Sequence, residues 1–96
     1  MSTITVKTKI LIEGPVFRIE TICINDRDEV GDFLAQLEKS SCQEYINVLA
    51  LLERIADNGL PQNREKYRQV EGDIFEIKSY RVRLLHFRQG KNLLVI

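Results

Sequence analysis

Ile74-Phe75-Glu76-Ile77-Lys78-Ser79-Tyr80-Arg81-Val82-Arg83 is the stretch on which the fold turns. Ile74, Phe75 and Ile77 make one strand, and a tight link near Ser79 leads into a second strand over residues 81–87. Along the first strand Glu76 and Lys78 fall on one face, Phe75 and Ile77 on the other. Arg81 and Arg83 share one face of the next. Antiparallel pairing brings Glu76, Lys78, Arg81 and Arg83 into a single polar patch, expected on the sheet face turned away from the helices. Alternating charge there also suits a solvated outer face laced with weak cross-strand ion pairs.

Before this pair, residues 66–70 form a short strand that ends at Glu71-Gly72. After it, Gln89-Gly90 is a hairpin turn into residues 93–96. Upstream lie two helices. Val30, Phe33, Leu34 and Leu37 recur at helical spacing, with Asp26 and Glu29 spaced as a capping box. Ser41 and Glu44 repeat that spacing ahead of Tyr45, Ile46, Leu49, Leu52 and Ala56, a face widened by Val48 and Ile55. Asn58-Gly59 stops the second helix, and Pro61 follows. The short link between the helices makes them antiparallel neighbours.

At the start of the chain, Ile4, Val6, Ile10 and Ile12 alternate with Thr5, Lys7 and Lys9, the period of a half-buried strand. Gly14-Pro15 breaks it, and residues 16–24 form the second arm of a hairpin. The order is hairpin, two helices, strand meander. The expected class is α+β, with two antiparallel helices packed on one face of an antiparallel sheet, in a single domain over residues 1–96. The first strand carries little edge protection beyond Lys7 and Lys9, so a homodimer through the N-terminal hairpin is one expectation.

The chain has 96 residues, and its 14 Lys and Arg balance 14 Asp and Glu. The balance hides an asymmetry. Between Arg64 and Lys91 stand eight Lys and Arg against four acids, while residues 1–63 hold six bases against ten acids. One basic half can hold a polyanion on one face. No apolar run approaches the ~18 residues of a membrane helix, and residues 3–12 do not form a signal pattern. Cys23 and Cys42 lack metal-type spacing and read as core thiols of a cytoplasmic protein. One histidine, His86, makes no metal site with them, and the glycines form no phosphate loop, so neither a metal nor a cofactor is expected.

The remaining chemistry is electrostatic. Arginine and lysine on a sheet hold phosphates and stabilise a phosphoryl transition state. RNA cleavage at a 2′-hydroxyl proceeds without a metal if acids and bases are well placed. Lys78, Arg81, Arg83, Glu76, Tyr80 and His86 are suitable types, and His86 is as readily a satisfied structural histidine.

Three stretches resemble the RelE/ParE superfamily of bacterial toxins, in its HigB-like, phage-derived branch. They are Glu29-Val30 through Phe33-Leu34 to Leu37; the second helix with Asn58-Gly59-Leu60-Pro61; and Ile74–Lys78, Tyr80-Arg81-Val82 and Leu93-Leu94-Val95-Ile96. The resemblance covers roughly residues 28–96. It implies a RelE-like fold and the toxin of a type II toxin–antitoxin pair, with a cognate antitoxin protein as partner. RelE and HigB members cut mRNA in the ribosomal A site without a metal; ParE members inhibit DNA gyrase. The first activity is the expectation here, and the alternative is a non-catalytic member that acts by binding protein. By the resemblance Arg81 holds the scissile phosphate, Lys78 is a basic central-strand position, Lys66 and Arg68 contact the RNA backbone, and Glu76 is structural. We add Arg83 to the RNA-binding set and His86 to the catalytic candidates. The family normally continues past the strand matched by Leu93–Ile96 into a basic segment, and a member lacking that tail is expected. Its hairpin is also longer than the family's short first strand.

Overall fold

The computed structural model describes residues 3–61 and 67–96. Strands β1 (Val6–Glu13) and β2 (Arg18–Ile24) precede helices α1 (Glu29–Ser40) and α2 (Cys42–Asn58). Four strands follow: β3 (Tyr67–Glu71), β4 (Ile74–Ser79), β5 (Val82–Gln89) and β6 (Leu93–Val95). They form one six-stranded sheet in the order β1-β2-β6-β5-β4-β3. The class is α+β. Ile19, Ile77, Val82, Leu84 and Leu94 of the sheet share one core with Leu34 and Leu37 of α1 and Val48, Leu51, Leu52 and Ile55 of α2.

One junction departs from the expected antiparallel sheet: β6 runs parallel to β2, with Leu94 beside Ile19. Leu94 and Val95 point to opposite faces, yet they are only 0% and 1% exposed. A strand apolar on both sides gains most at the centre of a sheet, and the charged strands β1 and β3 are left at the edges.

The helix faces are rotated slightly from the expected ones. Phe33 and Ile46 are 44% and 51% exposed, and Leu51 joins the core instead. Asp28, not Asp26, caps α1: its Oδ1 accepts from Gly31 N–H at 2.9 Å. Asn25 and Asp26 take positive φ values of 52° and 66°, which these residue types tolerate, and this turn delays the helix start. The other oxygen of Asp28 accepts from the Thr21 hydroxyl at 3.0 Å, tying α1 to β2. Ser41 does begin α2, but its side chain makes no capping bond.

A bulge between Ile10 and Ile12 places Ile12 opposite Ile19, on the helix side. The expected sharing of one face by Val6, Ile10 and Ile12 is therefore broken, because an extra residue reverses the pleat. Val6 and Ile10 remain on the open face, exposed. Cys42 is exposed rather than buried, and Cys23 is intermediate.

The hairpin turn docks on the end of α2. Helix-terminal carbonyls lack partners within the helix. The Ala56 carbonyl accepts from both Val16 N–H and Phe17 N–H, at 2.9 and 3.0 Å. Gly14 allows this approach: a Cβ there would lie 2.8 Å from Ala56 Cβ and nearer still to its carbonyl oxygen. Gly14→Ala is expected to destabilise the protein by about 1–3 kcal/mol through overpacking. Urea unfolding checks this, as a lower midpoint at unchanged slope.

Candidate functional site

The basic residues of the last third do not form one patch. The described candidate residues divide among three places, set by the pleat and by the turn between β4 and β5.

The first place is a cleft of about 400 Å³ between α2 and that turn, lined by Asn47, Leu51 and Arg54 of α2 and by Lys78, Ser79 and Tyr80. Asn47, Leu51 and Arg54 are spaced three and four apart, so they share a helix face. Tyr80 adopts a positive φ of 55°, an uncommon conformation for an aromatic residue, while its side chain stays exposed. Arg81 does not start β5 but follows Tyr80 in the turn and reaches back to α2. Its Nη2 and Nε donate to one oxygen of Glu44, at 2.7 and 2.8 Å. Glu44, one helical turn before Asn47, is the acid expected to close the α2 capping box, and it is diverted to Arg81. The Arg81 side chain is 85% exposed, so this pair adds little to stability and leaves the guanidinium accessible.

The second place is the open sheet face. Glu76 lies opposite Arg68 of β3, and Lys78 opposite Arg83 of β5. Arg68 Nε and Arg83 Nε stand 3.6 and 3.9 Å from Glu76 Oε1. Glu76 is buried, so it serves as a shared counter-ion beneath two arginines. Glu76, Lys78 and Arg83 thus share the expected face, so Lys78, one residue from the end of β4, borders the cleft at the strand end, and Arg81 leaves them for the helix side.

The third place is the core. His86 pairs with Phe75 across β4 and β5, on the face opposite to that of Lys78 and Arg83, and is 2% exposed. Its ring centroid lies 6.1 Å from that of Phe75. Burial lowers its pKa to about 4, so the imidazole is neutral at physiological pH. Lys66, the remaining site residue read from the sequence, lies outside the described residues.

Arg54 is the cleft residue that strand-centred reasoning missed. Its signal was helical spacing: Glu44, Asn47, Leu51 and Arg54 recur at three, four and three. Among the described residues no group of three His, Cys, Asp or Glu is placed to hold a metal ion, and no helix is long and apolar enough to cross a membrane. Comparison with protein-family models, curated proteins and solved structures finds no match to this chain.

His86 makes stability depend on pH. The unfolded imidazole, near 6.5, takes up a proton before the folded one, near 4. Stability is then complete above about pH 6.5 and falls as pH drops toward 4, by a total on the order of 3 kcal/mol. In denaturant titrations from pH 7 to 4.5, His86→Leu is expected to lose most of this slope relative to wild type.

Proposed function

We propose that this chain is a toxin of the RelE/ParE type, in the HigB-like branch, acting on mRNA at the ribosome. The observation that carries the reading is the cleft at which Arg54 of α2, Lys78 of β4 and Tyr80 of the β4–β5 turn meet, with Arg81 beside it. The order of hairpin, helix pair and basic meander supports the same reading.

In this mechanism the RNA phosphate enters the cleft and competes with Glu44 for Arg81. The 2′-hydroxyl attacks the adjacent phosphorus and the 5′-oxygen leaves, giving a 2′,3′-cyclic phosphate and a free 5′-hydroxyl. Arg81 and Arg54 hold the non-bridging oxygens, where negative charge grows in the transition state. Lys78 adds positive charge at the strand border of the cleft, and Tyr80 gives its phenolic proton to the departing 5′-oxygen while the 2′-hydroxyl proton passes to water, from which Tyr80 is reprotonated. Arg68 and Arg83 contact the backbone from the open face. His86 keeps a structural role, since its buried ring offers no path to substrate. The reading places the protein in the cytoplasm, with an antitoxin covering the basic surfaces.

A second reading has its own support. Glu44 and Glu76 already engage Arg81, Arg68 and Arg83, which suits a non-catalytic member of the same fold that acts by binding protein.

Induced expression in a bacterial host separates the two. Wild type is expected to arrest growth and cut translated mRNA. The Lys78→Ala, Arg81→Ala double variant is expected to reduce cleavage by about 10²-fold or more. Growth arrest without cleavage excludes the nuclease, and arrest unchanged in the double variant removes Lys78 and Arg81 from the mechanism. Tyr80→Gly is expected to relieve the backbone strain, with thermal stability equal to or above wild type, and to lower cleavage.

A further inference from the structure

β1 ends the sheet on the side away from the basic strands, with no strand beyond it among the described residues. Thr5 N–H donates to Asn25 Oδ1 at 3.0 Å, and Thr5 C=O accepts from Asn25 N–H at 2.8 Å. Thr5 therefore turns its backbone groups inward. Alternation along the strand turns those of Val6, Thr8 and Ile10 outward, as far as the bulge. These are the groups an added strand would pair with.

The side chains on this edge are sorted by face. Lys7 and Lys9 lie opposite Cys23 and Thr21, neither of which offsets a positive charge. Neither lysine has an ion-pair partner among the described residues. On the open face Val6 and Ile10 are 57% and 52% exposed. This is the alternation of a half-buried strand, yet its apolar side meets no layer of the fold.

A second copy of the chain fits this edge poorly. Antiparallel self-pairing centred on Thr8 sets Lys7 against Lys9; centring on Lys7 or Lys9 sets a lysine against itself. Like charges directly opposite are destabilising. Centring on Val6 runs past the start of the strand, and centring on Ile10 runs into the bulge. An acidic strand has none of these conflicts.

We infer that β1 is a docking edge for an extended acidic segment of another protein, which adds as a seventh strand with carboxylates opposite Lys7 and Lys9 and apolar residues beside Val6 and Ile10. Backbone pairing supplies affinity, and alternate side chains supply specificity. The inference does not depend on the cleft or on any nuclease activity.

The test uses the full chain and two synthetic decapeptides, one alternating Glu and Val, the other Lys and Val. Calorimetry at low salt is expected to show the acidic peptide binding at least tenfold more tightly. Amide shifts on binding are expected at residues 6–10, and 0.5 M salt is expected to abolish the preference. The Lys7→Glu, Lys9→Glu variant is expected to reverse it. Both positions are exposed, and the salt titration of wild type stands whether or not the variant folds. Equal affinity for the two peptides, or shifts centred elsewhere, overturns the inference. So does a wild-type dimer through β1 in sedimentation, which would assign the edge to a second copy.

Discussion

A single carbonyl, that of Ala56, joins the two parts of the molecule laid down first. It sits in the last turn of α2, where the helix provides no donor. Two consecutive amides of the hairpin turn, from Val16 and Phe17, supply what is missing. The same amides are fixed by the turn that begins at Gly14, whose lack of a Cβ lets strand and helix backbones meet. Once the end of α2 is anchored there, its face is set against the sheet. Val48, Leu52 and Ile55 point inward, and Asn47 and Arg54 are carried to the side where the β4–β5 turn arrives.

That placement explains how one basic segment serves three environments. A strand pair alternates its residues between faces, so Lys78 and Arg83 are separated from His86 by the thickness of the sheet. The two-residue turn at Tyr80 and Arg81 adds a third direction, toward the helix. Carboxylates are distributed to match. Glu76 is held under two arginines on the open face, while Glu44 meets Arg81 on the helix side. The cleft itself is left with Arg54 and Lys78 lining it.

Much of this was legible in the sequence. The spacing of Val30, Leu34 and Leu37 places α1, Asn58-Gly59 ends α2, and Gly72 and Gly90 take the positive φ values of the turns that bound the meander. The open-face set of Glu76, Lys78 and Arg83 follows from the pleat alone. What escaped depended on contacts between segments distant in the chain. The α1 cap falls at Asp28 because Thr21 of β2 and Gly31 of α1 both bind its carboxylate. Arg81 falls in the β4–β5 turn, where its side chain meets Glu44, 37 residues away. The bulge in β1 and the parallel seating of β6 likewise come from tertiary pairing, on which local periodicity is silent. Arg54 was hidden differently: its spacing was visible, but the cleft that gives it meaning exists only where helix meets turn.

The central place of β6 has a consequence for the order of folding. β2 and β6 are joined by Ile19 and Leu94, so the seam is closed by residues 75 positions apart. During synthesis the hairpin, the helices and the β3–β5 meander emerge first, as two half-sheets with no strand between them. Until Leu93-Leu94-Val95 appears, the inner edges of β2 and β5 are bare along that seam. Long-range pairing of this kind slows folding and leaves strand edges open to wrong partners meanwhile. The nascent chain is therefore exposed to mispairing until β6 is available to close the seam.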